Sequence, residues 1–149
     1  MPYRNVPSQP TARILLVDDN AHGLMARRTV LEELGHKIMT ASNGADALDL
    51  FSQNRFDMVV TDYKMPRMDG LELIKRLRKL TPHVSIVLVS GFVDALGLNE
   101  SNTGADAVVQ KSSNEVAHLM RAVARLARKP ARKPASAEGR AVKSKRKGG

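Results

Sequence analysis

Cysteine and tryptophan are both missing from this chain, and only 3% of its 149 residues are aromatic. Without thiols there can be no disulfide, no thiolate metal centre and no cysteine nucleophile, so any chemistry falls to oxygen and nitrogen groups. The few rings mark no base-stacking surface. Long apolar runs are also lacking. No segment could span a bilayer, and the opening Met1-Pro2-Tyr3-Arg4-Asn5-Val6-Pro7 has none of the apolar stretch of a secretion signal, so a cytoplasmic protein is the expectation.

Acidic residues are scarce at one end. The formal net charge is +9, yet residues 128–149 carry nine Lys and Arg against Glu138 alone, so the preceding part is nearly neutral at +1. That segment repeats Lys-Pro-Ala-Arg-Lys-Pro-Ala and offers almost nothing to bury, which predicts a disordered basic tail. A tail of this kind serves solubility, or attracts nucleic acid or an acidic partner without sequence specificity, since it has no room for a helix-turn-helix domain. The expected organisation is a flexible leader over 1–12, one folded domain over 13–127 and the tail over 128–149.

What the chain does have is a set of short apolar strings that run straight into polar groups. Leu15-Leu16-Val17 leads to Asp18-Asp19, Val59-Val60-Thr61 to Asp62, Val87-Leu88-Val89 to Ser90, and Ala107-Val108-Val109-Gln110 to Lys111. Strings this short and this apolar suit central strands buried on both faces. Between them lie helical spacings: His22–Leu34 with Leu24, Ala26 or Arg27, Val30 and Leu31 inward, Ala45–Gln53, Leu71–Leu80, and 114–128 with Val116, Leu119, Met120, Val123 and Leu126 on one face. Asn43-Gly44 reads as a turn. The segment 92–103 contains Gly97, Asn99, Ser101 and Asn102, which predicts a short or frayed helix. With Lys37–Ala41 as a further strand, five strand-helix units imply a three-layer α/β/α domain on a parallel sheet.

In such a sheet, reactive groups gather beyond the carboxyl ends of the strands. Asp18, Asp19 and Asp62 would there repel one another and raise each other's pKa unless a cation lay among them. Mg²⁺ suits that place, taking oxygen ligands at about 2.0–2.1 Å and keeping open positions for phosphate oxygens. Asp62 is then the natural nucleophile for a phosphoryl group, with Lys111 offsetting the charge and Ser90 supplying a hydroxyl. Simpler roles compete: the Asp pair as a helix cap, Ser90 bonding its own backbone, Lys111 as a solvated surface residue. Met65 and Met68 read as packing, Gly70 as a turn or helix-entry residue, and His22, His36, His83 and His118 as structural or exposed.

From Arg13 to about Ala127 the chain resembles the receiver domain of two-component response regulators. The Asp18-Asp19 pair, Asp62, Met65-Pro66, Met68-Asp69-Gly70, Ser90 and Lys111 occur in that family's order with close to its spacing. The resemblance implies a flavodoxin-like fold with strand order 2-1-3-4-5 and phosphorylation of Asp62 by a histidine kinase or phosphotransfer protein. It also implies Mg²⁺ held directly by Asp19 and Asp62 with the Lys64 carbonyl, Asp18 acting through water, and signalling to a downstream protein. A receiver catalyses its own phosphorylation and dephosphorylation and is not a conventional enzyme. Two positions and one spacing depart from the pattern: Val108 stands where an aromatic is usual, Ser112 where a proline usually follows the lysine, and the span from Ser90 to Lys111 is about one residue short. Two alternatives follow, a nucleic-acid-associated protein regulated by the receiver and a degenerate receiver that works without phosphate. Phe92, two residues after Ser90, is placed to shield an acyl phosphate from water.

Overall fold

The computed structural model describes residues 10–128. Most of the expected leader and, apart from Arg128, the expected basic tail lie outside the described residues.

Each apolar string forms a strand, and Lys37–Ala41 adds a fifth. β1 (Arg13–Val17), β2 (Lys37–Ala41), β3 (Met58–Asp62), β4 (Ser85–Ser90) and β5 (Ala107–Gln110) make one parallel sheet in the order β2-β1-β3-β4-β5. The three middle strands are apolar on both faces because both are covered. Ile14, Leu16, Met58, Val60, Val87 and Val89 face one side, while Leu15, Val17, Val59, Ile86 and Leu88 face the other.

Helices α1 (Ala21–Glu33), α2 (Gly44–Gln53) and α3 (Gly70–Leu80) follow the first three strands. Asn20, Asn43 and Asp69 cap them by accepting the backbone N–H of Gly23, Asp46 and Glu72, each cap contributing about 1 kcal/mol. Asn43-Gly44 is therefore a cap and a first helical residue, where the sequence predicted a turn. Leu73, Ile74 and Leu77 of α3 bury against the second sheet face, with Ala47 of α2.

The weak segment resolves into two single turns, α4 (Val93–Leu96) and α5 (Glu100–Thr103), ended by Gly97 and Gly104 at φ +63° and +82°. Both glycines occupy the left-handed region that other residues resist. The last helix, α6 (Glu115–Arg128), buries Leu119, Ala122, Val123 and Leu126 beside Leu31 of α1 on the first sheet face. Val116 is exposed, contrary to the apolar face expected from the sequence, because burial of α6 begins one turn later at Leu119.

Ala12 is buried at the margin of the expected leader. Its N–H donates to His36 Nδ1 at 3.0 Å, and its carbonyl accepts from Lys37 N–H.

Candidate functional site

Register brings the strand ends together. Val17 pairs with Thr61, Asp62 with Val89, and Ser90 with Gln110, so the residues that close or follow these strands lie along one edge of the sheet. There Asp18, Asp19 and Asp62 each present an oxygen within 4.8 Å of the others. Asp18 and Asp62 are buried while Asp19 is exposed, which leaves the cluster open to solvent on one side. Lys111 donates from Nζ to Asp62 Oδ1 at 2.8 Å, and its own N–H donates to the Ser90 carbonyl at 2.9 Å. The Asp pair therefore does more than cap α1, the cap being Asn20, and Lys111 is an ion-pair partner.

Burial holds the Asp62 carboxyl above the usual carboxylate range. The Lys111 hydrogen bond opposes this, the nearby Asp18 charge reinforces it, and the Lys111 and Arg27 charges oppose it again. A carboxylate cluster in that condition is short of positive charge. All its donors are hard oxygens, and the exposure of Asp19 leaves room for water, so the donor set fits Mg²⁺.

Ser90 is buried and its Oγ accepts the Phe92 N–H at 2.9 Å, leaving the hydroxyl proton to donate. Phe92 lies edge-on to Tyr63 with ring centroids 6.2 Å apart, and the Lys64 ammonium sits 5.3 Å from its ring centre. The Lys64 side chain thus points to Phe92. Met65 is buried and Met68 packs against the second core, as expected of packing residues.

Further residues shape the site, none of them given a role there by the sequence. Arg27 is 7% exposed and forks between two acids, donating from Nη1 to Asp18 Oδ2 at 2.5 Å and from Nε to Glu115 Oε2 at 2.9 Å. Burial alone would lower its pKa, but the hydrogen bonds and charges of Glu115 and Asp18 outweigh this and hold it above the ordinary arginine value. Gly23 makes room for the pair, since a Cβ there would lie 2.9 Å from Asp18 Oδ2. Gly70 lets α3 close on the site: a Cβ would meet the Asp62 carbonyl at 2.4 Å. Helical spacing allowed either Ala26 or Arg27 inside, and the structure exposes Ala26 and buries Arg27.

Residues 14–124 match the family model described as response regulator receiver domain. A gliding motility regulatory protein of Myxococcus xanthus is 31% identical over 129 residues, covering 84% of this chain and 16% of that protein. Sporulation initiation phosphotransferase F of Bacillus subtilis is 30% identical over 89 residues, covering 60% of this chain and 72% of its own length. Among solved structures, the response regulator protein TrrA of Thermotoga maritima in complex with Mg²⁺-BeF superposes with a TM-score of 0.69 at 34% identity. That match covers 76% of this chain and 97% of TrrA. The strand order, the carboxylate cluster with its lysine, and these likenesses agree: the chain belongs to the response regulator receiver domain family.

Proposed function

We propose that Asp62 accepts a phosphoryl group from the phosphohistidine of a histidine kinase or phosphotransfer protein, and that the chain signals in the cytoplasm by protein contacts. The observation that carries this reading is the Lys111–Asp62 pair at 2.8 Å beside two further carboxylates. Asp62 supplies the attacking oxygen. As the new P–O bond forms, the P–N bond of the donor breaks, and the departing imidazole nitrogen keeps the electron pair and takes up a proton. Asp18, Asp19, Asp62 and the Lys64 carbonyl would hold Mg²⁺, which supplies charge neutralisation for the transferring group. Three carboxylates, Mg²⁺ and Lys111 sum to about zero, and a dianionic acyl phosphate on Asp62 brings the site to about −1. Without Lys111 it would be about −2, so the lysine keeps the product near balance.

Ser90 donates its hydroxyl proton to a phosphoryl oxygen in this scheme, the proton that its contact with the Phe92 amide leaves free. Incubation with acetyl phosphate and Mg²⁺, read by intact mass, tests the assignment. One phosphoryl adduct on the wild type and none on Asp62→Ala is the expected result. A wild type that stays unmodified refutes phosphoacceptance and favours a receiver that works without phosphate.

A further inference from the structure

The acidic site reaches past its own strands through one side chain. Arg27 lies on α1, nine residues after Asp18, and Glu115 opens α6, 88 residues after Arg27. A buried guanidinium needs anionic partners, because an unpaired charge in this position costs several kcal/mol. The planar fork of arginine allows both carboxylates to be met at once, which the single ammonium of lysine does less well. Both Asp18 oxygens are engaged: Oδ2 accepts from Arg27 and Oδ1 accepts the Asn20 N–H at 2.9 Å. The same Asp18 belongs to the carboxylate cluster that fits a divalent cation.

We propose that Arg27 is the resident counter-ion of this site: it holds Asp18 while no divalent cation is bound, shifts its pairing toward Glu115 when one arrives, and so links occupancy of the site to the first turn of α6. Arg27 is a positioning residue in this scheme and touches no reacting atom. The inference rests on the reading of Asp18, Asp19 and Asp62 as the Mg²⁺ site. Two cations beside one carboxylate repel each other, so the arginine and the metal compete for Asp18. Glu115 sets the balance of that competition by offering Arg27 a second carboxylate at 2.9 Å. Arg27, Asp18 and Glu115 together carry a net −1, and removing either outer member changes what the metal meets.

Opposite changes in Mg²⁺ affinity are the signature. Calorimetric titration of the full chain with MgCl₂ should give binding about fivefold or more tighter in Arg27→Met and about threefold weaker in Glu115→Gln, where Arg27 is left to Asp18 alone. Arg28→Met makes the same charge change at an exposed neighbour that pairs with Glu32, and its affinity should match the wild type. Amide NMR of the wild type should show residues 113–117 shifting on Mg²⁺ saturation, and Glu115→Gln should lose that response. Glu115 is partly exposed, so this variant keeps the test open even if Arg27→Met does not fold. Unchanged affinity in Glu115→Gln, or shifts in 113–117 that persist in it, would overturn the proposal. A wild type that binds no Mg²⁺ overturns the metal-site reading itself, and this inference with it.

Discussion

Adding one methyl group at Gly70 should unseat α3 while leaving Asp62 where it is. A Cβ at this position would lie 2.4 Å from the Asp62 carbonyl oxygen, 2.9 Å from the Tyr63 Cα and 2.9 Å from Leu88 Cδ1. Two of these three neighbours are backbone and cannot turn aside. Reaching ordinary contact at 3.4 Å requires a separation of about 1 Å more. β3 cannot supply it, being fully buried and paired with β1 on one side and β4 on the other. The helix must move instead, which breaks the 2.6 Å hydrogen bond from Gly70 N–H to the Tyr63 carbonyl and loosens Leu73, Ile74 and Leu77. The lost hydrogen bond costs about 1 kcal/mol and overpacking about 1–3 kcal/mol, for a sum of roughly 2–4 kcal/mol. At about 4 °C per kcal/mol for a domain of this size, Tm should fall by roughly 8–16 °C.

Urea and thermal unfolding of Gly70→Ala, Gly44→Ala and Gly91→Ala measure this directly. At Gly44 the nearest obstacle is the Met68 sulfur, the flexible part of its side chain, so the loss should be smaller. At Gly91 nothing lies within 4 Å, and the variant should equal or slightly exceed the wild type. Gly70→Ala within about 0.5 kcal/mol of the wild type would refute the close-approach reasoning.

Asp62 has a pKa raised by burial, so its ionisation opposes folding: the stability it contributes is present below the unfolded carboxylate pKa and is lost as pH rises through the folded one. Asp62→Asn should therefore melt above the wild type at pH 7, with the gap closing on acidification; a lower Tm at pH 7 contradicts this. Mg²⁺ at a hundredfold excess over its Kd should stabilise the wild type by about 2.7 kcal/mol, or roughly 11 °C, reversibly with EDTA, and Asp19→Asn should lose most of that gain. His36 has its pKa lowered by burial, and it accepts a hydrogen bond at Nδ1, which favours the neutral ring. Its contribution is thus complete above pH 6.5 and lost as pH falls through the folded pKa, so unfolding followed from pH 7.5 to 5 should show a slope that flattens in His36→Asn. Phe92→Ala should shorten the half-life of the acyl phosphate by removing the ring packed against Tyr63 and Lys64, and an unchanged decay rate in a phosphate-release assay would dismiss the shielding role.

The strands and their endings were legible because burial on both faces leaves no alternative to an apolar run, and each run stops at a polar residue. Asp18, Asp19, Asp62 and Lys111 converge where the parallel topology requires. Arg27 was harder to see: hydropathy favours Ala26 for the inward position, and burying Arg27 takes, besides Asp18, a carboxylate on a helix 88 residues later. Gly70 read simply as a turn or helix entry for the same reason, since the carbonyl that excludes a side chain belongs to another element. Val116 has the right helical phase for the core but lies on the turn of α6 before burial begins. Spacing reports phase along a helix, and only packing decides where along its length the contact starts.

The sheet register constrains which changes in length the chain tolerates. Asp62 lies one step past the Thr61–Val17 pair, and its side chain emerges on a face fixed by the twofold alternation of the strand. Deleting a single residue inside β3 would swing the carboxyl to the opposite layer, among leucines, even though composition and hydropathy would scarcely change. An insertion between β4 and β5, where two lone turns already stand in for one helix, leaves every strand in step. Lengthening is cheap in the joints of this domain and ruinous within its rungs.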